Sequence, residues 1–334
     1  MNTRPTLKEL ASATGMSIAT ISRALSEPGK VKYSTRLKVE AAKRELQQQS
    51  MHDRKGIIGI IVPDISNEFF PLMLEGIESI SSSYDNTIML CNSLGNIKNE
   101  ENILRKLLDI KADGIIYITT GEAPALAKEI INNNIVPVVF LDRNPGLKNI
   151  SLVATDNHNG MYQATRYLIT LGHRKIMYLG GREGTSTDND RLAGFRDAIS
   201  DSDIDDGQIA EIHADFAYQK AFESVSSMIA QGTMKYTAIA SANDTMAMGA
   251  MKALKNAGLR IPEDISIIGY DDIPSAAFAE LTTVRQPFAE MGRTAIMQLM
   301  ASIADFSAPK KTTVLPSSIV FRNSCAIPKS VLPS

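Results

Sequence analysis

The amino-acid sequence predicts an N-terminal all-α head of the helix-turn-helix type, followed by an α/β core made of two parallel-sheet lobes. Two features indicate this division. Apolar residues recur at helical spacing over residues 6–46, whereas from Gly56 onward buried strands alternate with helices in two successive series. Such alternation is typical of open parallel sheets. A chain of 334 residues also has room for more than one domain.

The head opens with two short helices separated by a glycine. Thr6 and Glu9 have the S/T-x-x-E spacing of a capping box, which begins a helix by pairing backbone amides with side chains. Gly15 ends that helix because it tolerates positive φ, and Ser17 caps the next one. The apolar positions of the two helices are Leu7, Leu10, Ala11 and Ala13, then Ile18, Ile21, Ala24 and Leu25. This arrangement predicts a helix-turn-helix, whose second helix enters the major groove of DNA.

A third helix completes the predicted head, which spans residues 1–48. Ser34 is expected to cap this helix, after a loop that contains Pro28 and Gly29. Its inward positions are predicted to be Leu37, Ala41, Ala42 and Leu46. Residues 49–56 then form a short polar linker, and residues 57–330 form the core.

The charge of the chain is unevenly distributed. Residues 1–55 hold 11 Lys or Arg and 5 Asp or Glu, a net charge of +6, so the overall charge of −2 leaves −8 for the remainder. A basic head on an acidic body is the pattern of a nucleic-acid-binding module attached to a part that does not contact nucleic acid.

Other features of the sequence argue against several classes of protein. No apolar run approaches the length of a membrane span, and the first residues lack the apolar segment of a signal peptide, so we expect a cytoplasmic protein. Cys91 and Cys325 are expected to be reduced. The four histidines have no metal-ligand spacing, and no metal site is predicted. Because phosphate-binding glycine loops and nucleophile motifs do not occur, we expect neither catalysis nor a cofactor.

The core contains two series of strands and helices. The first series predicts strands within 56–64, 87–92, 114–118 and 136–142, with helices at 69–83, near 99–110 and near 123–133. The second series predicts strands at 175–180, 211–215, 237–242 and 265–272, with helices at 159–171, from 191, from 218 and at 244–256. Enough strands are present for two sheets, and hence for two lobes.

Polar and aromatic side chains follow many of these strands, where ligands bind in open parallel sheets. A sugar needs this combination, since its ring faces stack on aromatic side chains and its hydroxyls pair with planar polar groups. A single Asp at a strand end is more often a cap or turn residue, and Asp244 in particular is expected to cap its own helix. The convergence of several such strand ends nonetheless favours a binding site.

The head resembles the DNA-binding head of the lactose-repressor (LacI) family. The matching segments are T-L-x-E-L-A at 6–11, S-x-A-T-I-S-R-A-L at 17–25 and K-V-x-x-x-T-R-x-K-V-x-A-A at 30–42. The resemblance implies that Ile18 and Ala19 carry much of the base choice, and their apolar side chains favour contact with thymine methyl groups. Helix three is expected to contact backbone phosphates near its start. The implied DNA-binding residues are Thr6, Ser17, Ile18, Ala19, Thr20, Ser22, Arg23, Ser34, Thr35 and Arg36.

The core resembles the same family and the periplasmic sugar-binding proteins. The motifs are N-x-F-F, L-D-R, an Arg before A-G-F, an aromatic after Asp, A-N-D, G-x-D and R-Q. The resemblance implies crossings between lobes at about 155, 285 and 316. The N-lobe would then hold about 57–154 and 287–316, and the C-lobe about 155–285 and 317–330. The implied effector-binding residues are Asn67, Phe69, Phe70, Asp142, Arg143, Arg191, Phe216, Asn243, Asp271 and Gln286.

The linker departs from the family pattern. Family members usually carry Y-x-P-N-x-x-A-R-x-L after helix three, a segment that folds on DNA and places a leucine between base steps of the minor groove. The polar stretch 47–55, Q-Q-Q-S-M-H-D-R-K, has none of these motifs. We therefore expect residues 47–54 either to extend helix three or to form a tether, without leucine-driven kinking of the operator.

Together these observations predict a homodimeric transcriptional repressor, with a tetramer left open, that binds double-stranded operator DNA and a small sugar. The alternative is a nucleoside or purine effector in the same cleft, although the charged pair Asp142–Arg143 favours a polyhydroxyl ligand over a flat base. The basic head argues against a solute-binding protein without a DNA role. A metabolic enzyme is disfavoured because paired catalytic residues are lacking.

Overall fold

The structure is a computed structural model that describes residues 5–27, 30–52 and 56–329. The N-terminal head has three helices, α1 (Leu7–Thr14), α2 (Ile18–Ser26) and α3 (Tyr33–His52). Thr6 and Glu9 form the predicted capping box. The backbone at Gly15 has a φ of 67°, and the Ser17 hydroxyl accepts a hydrogen bond from the Thr20 amide at 3.2 Å. The buried core of the head consists of Leu10, Ile21, Ala24, Val39 and Ala42.

The start and the inward face of α3 differ from the prediction. The amides of Thr35 and Arg36 donate to the Lys32 carbonyl at 2.9 and 3.1 Å, so Ser34 lies within the first turn and does not cap the helix. Leu37 is 47% exposed and Ala41 is exposed as well. Ala42 is buried and Leu46 is partly buried, as predicted, but Val39 and not Leu37 or Ala41 completes the face that meets α1 and α2. The helix continues to His52, so part of the predicted linker is helical.

The core contains two six-stranded sheets, one in each lobe. The N-lobe sheet has the order β11-β5-β4-β3-β1-β2, and all of its neighbouring strands are parallel. These strands are β1 (Ile57–Val62), β2 (Thr87–Asn92), β3 (Gly114–Tyr117), β4 (Val138–Leu141), β5 (Ser151–Thr155) and β11 (Thr312–Leu315). The helices of the N-lobe are α4 (Phe69–Ser81), α5 (Ile97–Asp109), α6 (Ala125–Asn132) and α12 (Phe288–Ala304).

The C-lobe sheet has the order β12-β10-β9-β8-β6-β7 and is parallel except for its edge strand β12. Its strands are β6 (Ile176–Gly180), β7 (Ile209–His213), β8 (Ala238–Ser241), β9 (Ser266–Asp271), β10 (Thr282–Arg285) and β12 (Ser318–Val320). The helices are α7 (Asn157–Thr170), α8 (Ser186–Ser200), α9 (Tyr218–Ala230), α10 (Asp244–Asn256) and α11 (Pro274–Phe278).

The chain passes from one lobe to the other at three places. These are the junctions between β5 and α7, between β10 and α12, and between β11 and β12. Each lobe is therefore discontinuous in sequence, and the three crossing segments lie side by side. Such a set of short parallel connections is the usual form of a hinge between two lobes.

Close packing of helices in both lobes depends on glycine. A Cβ atom on Gly76 of α4 would lie 2.2 Å from the Ala289 carbonyl oxygen of α12. A Cβ atom on Gly194 of α8 would lie 2.1 Å from the His158 carbonyl oxygen of α7. Because these neighbours are backbone atoms, a side chain at either position would force the two helices apart.

Two sequence-based assignments in the C-lobe were wrong in detail. The helix predicted from Arg191 begins earlier, because α8 starts at Ser186 with Thr185 as its cap. Asp244 does not cap α10, since the Asn243 side chain accepts the hydrogen bond from the Met246 amide. The strands β5, β10, β11 and β12 and the helices α11 and α12 had no counterpart among the predicted elements. In the described ranges, no helix has both the length and the apolar character needed to cross a membrane.

Candidate functional site

A cavity lies between the two lobes, at the carboxyl ends of their strands. The N-lobe contributes residues that follow β1 and β4. The C-lobe contributes residues of α8, residues that follow β7 and β8, and the last residue of β9. The lining residues are Asn67, Phe69, Phe70, Asp142, Arg143, Thr187, Arg191, Phe216, Asn243 and Asp271. The structure thus brings together nine of the ten residues that the sequence predicted for effector binding.

The tenth predicted residue, Gln286, is buried behind the cavity wall and is not among the residues that line it. Its amide nitrogen donates to Asp271 Oδ1 at 2.7 Å, and its amide oxygen accepts from the Thr155 hydroxyl at 2.6 Å. Thr155 ends β5 and Gln286 follows β10, so both residues lie at lobe crossings. Gln286 therefore links a cavity carboxyl group to the hinge.

Arg191 is the most extensively bound side chain of the cavity. Its Nε donates to Asn157 Oδ1 at 2.8 Å, its Nη1 donates to the Ala242 carbonyl at 2.5 Å, and its Nη2 lies 3.7 Å from Asp271 Oδ1. The guanidinium carbon lies 3.8 Å from the centre of the Tyr270 ring, which is cation–π geometry. Burial lowers the pKa of Arg191, but Asp271 and Tyr270 raise it by more. The pKa is therefore above its usual value, and the residue stays charged.

Two carboxyl groups on the C-lobe side of the cavity, those of Asp271 and Asp244, are buried away from water. Burial raises the pKa of Asp271 to about 7, although Arg191 and the hydrogen bond from Gln286 oppose the increase. Behind it, Asp244 accepts hydrogen bonds from the Thr283 hydroxyl at 2.5 Å and the Ile273 amide at 3.0 Å. Burial and the neighbouring Asp271 raise the pKa of Asp244 well above its usual range. These two groups hold protons more tightly than exposed carboxyl groups do.

The N-lobe side of the cavity carries a second charged pair. Arg143 Nε lies 3.5 Å from Asp142 Oδ2, and Arg143 Nη1 donates to the Thr119 carbonyl at 3.2 Å. Burial raises the pKa of Asp142 and lowers that of Arg143, and each residue partly offsets the shift of the other. Within the protein, Asp142 Oδ1 and Arg143 Nε are buried and have no hydrogen-bond partner. Buried polar atoms of this kind are suited to bind polar groups of a ligand.

The segment that positions Arg143 is held by Glu100, a residue that the sequence analysis did not single out. This fully buried carboxyl group accepts hydrogen bonds from the Tyr117 hydroxyl at 2.5 Å and the Thr120 amide at 2.7 Å. Burial raises its pKa despite these bonds. Glu100 thereby fixes the segment that follows β3, in which the Thr119 carbonyl accepts the hydrogen bond from Arg143.

The aromatic side chains form two walls. In the N-lobe, the ring centres of Phe69 and Phe70 lie 4.9 Å apart in a T-shaped arrangement, and Phe288 packs edge-on against Phe69 at the same distance. In the C-lobe, Phe216 packs so closely on Gly181 that a Cβ atom there would lie 2.1 Å from the ring. The Arg143 guanidinium lies 5.2 Å from the centre of the Phe216 ring and connects the two walls.

Several cavity residues have a backbone conformation that is uncommon for residues other than glycine. The φ angles of Asp142, Phe216 and Asp271 are 69°, 59° and 117°. Such conformations cost roughly 1–3 kcal/mol each and concentrate at functional sites. The backbone conformation at these strand ends directs the three side chains into the cavity between the lobes.

Thr187 is a lining residue that the sequence analysis missed. Its hydroxyl is buried and has no partner within the protein. The signal was present, since Thr185 and Asp188 have the spacing of a helix start, and a helix from there places Thr187 and Arg191 on one face. Among the described residues, no group of three or more His, Cys, Asp or Glu is placed to hold a metal ion.

The head presents part of α2 to solvent. Ser17, Ile18, Ala19 and Arg23 are exposed, with Ile18 at 46%, while Thr20 and Ser22 are half-buried. The hydroxyls of Ser17 and Thr20 lie 2.9 Å apart and hydrogen-bond to each other. Ile21 and Ala24, on the opposite face of the helix, are buried in the head core.

The remaining predicted DNA-binding residues, Thr6, Ser34, Thr35 and Arg36, differ in their exposure and hydrogen bonding. The Thr6 hydroxyl donates to Glu9 at 2.9 Å within the capping box. Ser34 is exposed, Thr35 is half-buried, and Arg36 Nε donates to Glu40 at 3.2 Å on the same helix. Thr6 is thus committed to the structure of α1, whereas Ser34 and Arg36 remain accessible from solvent.

Two family descriptions match the chain. Residues 6–48 match the bacterial regulatory proteins of the lacI family, and residues 165–325 match a periplasmic binding protein-like domain. The chain is 32% identical over 326 residues to the ribose operon repressor of Halalkalibacterium halodurans, which covers 95% of this chain and 96% of the relative. It is 30% identical over 328 residues to the HTH-type transcriptional repressor PurR of Photobacterium profundum, covering 96% and 98% of the two chains.

Solved structures show the same architecture. A LacI family transcriptional regulator from Enterococcus faecium with bound ribose superposes with a TM-score of 0.74 at 29% identity, and covers 81% of this chain and 99% of that one. The lac repressor dimer bound to operator and the anti-inducer ONPF has a TM-score of 0.71 at 28% identity, and covers 96% and 99% of the two chains.

Proposed function

The chain belongs to the lacI family of bacterial regulatory proteins and is a DNA-binding repressor of that family, and we propose that a small carbohydrate of pentose or hexose size controls its affinity for operator DNA. The observation that carries the proposal is the composition of the interlobe cavity. Two guanidinium groups, two carboxyl groups and two carboxamides surround a space bounded by phenylalanine rings. Hydroxyl groups of a sugar match these donors and acceptors, and its apolar ring faces match the aromatic rings.

The head supplies the DNA contacts. Ile18 and Ala19 are exposed on α2, and their apolar side chains favour contact with thymine methyl groups in the major groove. Arg23 extends from the same helix toward a phosphate or a guanine. Ser34, Thr35 and Arg36 contact the phosphate backbone, with the start of α3 favouring the negative charge. The remaining proposed DNA contacts come from Thr6, Ser17, Thr20 and Ser22, whose hydroxyl groups can hydrogen-bond to phosphates or base edges.

The two functions are coupled through movement of the lobes. Sugar binding closes the cleft, the N-lobes of a homodimer reorient, and the separation of the two heads no longer matches the operator. A hundredfold decrease in operator affinity requires only about 2.7 kcal/mol of coupling free energy. We propose that the sugar acts as an inducer, that the protein works in the cytoplasm, and that it carries out no catalysis.

A purine or nucleoside effector is the second candidate, and the similarity to PurR repressors favours it. A flat base needs a slot between apolar faces. The cavity instead places Asp142 with Arg143 on one side and Arg191 with Asp271 on the other. This arrangement supports the sugar over the base.

A ligand screen distinguishes the two candidates. The full chain is heated with pentoses, hexoses, uronates, nucleosides and purines, since a ligand at about 100 times its dissociation constant adds about 2.7 kcal/mol of stability. The same screen is run on Arg143→Met, with the exposed Arg105→Met as matched control. We expect a sugar to stabilise the wild type and Arg105→Met but not Arg143→Met. Stabilisation by purines alone would support the second candidate, and no response to any compound would reject both.

The effect of the sugar on affinity for DNA is tested with the sugar found in that screen. Binding of the chain to a pool of random duplexes is selected and sequenced, and the affinity for the selected site is then measured with and without the sugar. We expect the sugar to lower the affinity about a hundredfold. An increase in affinity would identify the sugar as a co-repressor, and an unchanged affinity would contradict allosteric control.

A further inference from the structure

Apart from the lobe crossings, three pairs of described residues form hydrogen bonds between the lobes around the rim of the cavity. Arg182 Nη1 of the C-lobe donates to the Gly95 carbonyl of the N-lobe at 3.4 Å. The Asn144 amide of the N-lobe donates to the Ser186 hydroxyl of α8 at 2.9 Å. The third connection is between Glu68, just before α4, and Ser275 in α11. None of these residues lines the cavity.

The Glu68–Ser275 connection differs from the other two because it consists of two hydrogen bonds to one carboxyl group. One carboxylate oxygen of Glu68 accepts from the Ser275 amide at 3.1 Å, and the other accepts from the Ser275 hydroxyl. Both residues are half-buried. Hydrogen bonds to charged groups are stronger than those between neutral groups.

The Glu68 side chain has no local role that would explain its position. Glu68 precedes the first residue of α4, yet it makes no side-chain capping bond to that helix. The partners it does have are 207 residues away in the sequence and belong to the other lobe. Its carboxylate therefore stabilises the contact between the lobes and not the helix beside it.

Both ends of this connection are close in sequence to the cavity. Glu68 lies between the lining residues Asn67 and Phe69, and Ser275 follows the lining residue Asp271 by four positions. A change in the cleft that moves either set of residues also moves one end of the connection. Opening the cleft would separate Glu68 from Ser275 and return the carboxylate to water.

We propose that Glu68 and Ser275 form a latch that holds the two lobes closed and thereby sets the affinity for the effector. The proposal rests on the proposed function of the cavity, but it assigns the affinity partly to residues that do not touch the ligand. Glu68 is a positioning residue: its bonds form only in the closed state, so they add to the free energy of closure.

The latch is tested with Glu68→Ala, Ser275→Ala and the double variant in the full chain, and Glu78→Ala, an exposed glutamate of the same helix, is the control. Ribose is the probe, with affinity measured by calorimetry. We expect Glu68→Ala to weaken ribose binding about tenfold, the factor that corresponds to one strong hydrogen bond to a charged group. Ser275→Ala should have a smaller effect because its amide remains, and the double variant should be no weaker than Glu68→Ala.

A distance measurement separates the latch from the binding site itself. Spin labels replace the exposed Lys128 of α6 and Lys252 of α10, with Cys91 and Cys325 changed to serine and labelled chain diluted with unlabelled chain. We expect Glu68→Ala, but not Glu78→Ala, to shift the interlobe distances to longer values, with or without ribose.

The two readouts make failures of the latch and of the proposed function distinguishable. If the wild type binds no ribose, the sugar proposal loses support, while the distance distribution still reports on the latch. Weaker ribose binding in Glu68→Ala without a distance shift would mean that Glu68 acts on the sugar directly, and would overturn the latch. Identical behaviour of Glu68→Ala and Glu78→Ala would overturn it as well, and so would a wild type that never populates the short distance.

Discussion

Replacing Asp271 with asparagine should remove a pH dependence from the stability of the protein. Asp271 is buried at the end of β9, and burial raises the pKa of its carboxyl group to about 7 even though Arg191 is nearby. Asparagine has the same shape as the protonated acid, and its oxygen can accept the hydrogen bond that Gln286 donates to Asp271 Oδ1. The variant therefore imitates the neutral form of the residue at every pH.

The direction of the change in unfolding free energy with pH follows from proton binding to the folded and the unfolded chain. An unfolded aspartate has a pKa of about 3.9, so between pH 4 and pH 7 the folded chain keeps a proton on Asp271 that the unfolded chain has lost. The stabilising contribution of this proton is fully present below pH 4 and is lost as the pH rises through 7. A shift of three pKa units corresponds to about 4 kcal/mol, which is the upper limit of the effect.

Chemical denaturation at pH 5, 6, 7 and 8 measures the difference in unfolding free energy between the two proteins. We expect Asp271→Asn to be about 1.5 kcal/mol more stable than the wild type at pH 5, and the difference to grow to about 4 kcal/mol at pH 8. Asp109→Asn, an exposed position at the end of α5, serves as control and should follow the wild type throughout.

A variant that is less stable than the wild type at pH 8 would refute this reasoning. In that case the attraction of Arg191, whose Nη2 lies 3.7 Å from Asp271 Oδ1, would outweigh the cost of burial. Asp271 would then be ionised over the whole range, and its pKa would lie below the usual value.

Three further substitutions test other parts of the structure. Ile21→Ala should destabilise the head by about 2–4 kcal/mol and lower its melting temperature in calorimetry without affecting the core, because Ile21 is fully buried among the three helices; a shared loss of stability would contradict independent folding of the head. Gly76→Ala should leave little soluble protein, since its methyl group would collide with the Ala289 carbonyl at 2.2 Å, and normal expression and melting would show that α12 can move. Arg23→Ala should weaken operator binding and reduce the slope of log affinity against log salt by about one if Arg23 contacts a phosphate; an unchanged slope with altered sequence preference would assign it to a base instead.

The parts of the fold that the sequence predicts well depend on local interactions. The capping box of Thr6 and Glu9, the turn at Gly15 and the cap at Ser17 involve residues within three positions of one another. Spacing in the sequence is therefore enough to identify them. Central strands such as β3 and β9 were also predicted, because strands buried on both faces have continuous apolar runs. The strands β5, β10, β11 and β12 were missed.

Other elements could not be predicted because distant contacts determine them. The inward face of α3 contains Val39 and not Leu37, since the choice depends on where α1 and α2 lie against it. Asp244 has the composition and position of a cap, but its carboxyl group binds the hydroxyl of Thr283, 39 residues later, and Asn243 takes the capping role. Local propensity is a weak guide where a buried hydrogen bond from another strand competes.

The cavity was the most predictable functional feature because topology places it. Residues at the carboxyl ends of parallel strands meet whatever their distance in the sequence, so a list of strand ends already contains most of the lining. The rule locates positions but does not give the direction of a side chain. Gln286 follows a strand end like the others, yet its side chain turns away from the cavity toward Thr155.

Gln286 connects a carboxyl group of the cavity to the hinge. Asp271 Oδ1 accepts the hydrogen bond from Gln286 and faces Arg191, and Asp271 also lines the cavity. A ligand that reorients this carboxyl group must therefore alter the bond to Gln286, and through Gln286 the bond to Thr155. Thr155 and Gln286 belong to two of the three lobe crossings. Two hydrogen bonds of 2.7 and 2.6 Å thus connect a carboxyl group of the cavity to two of the three lobe crossings.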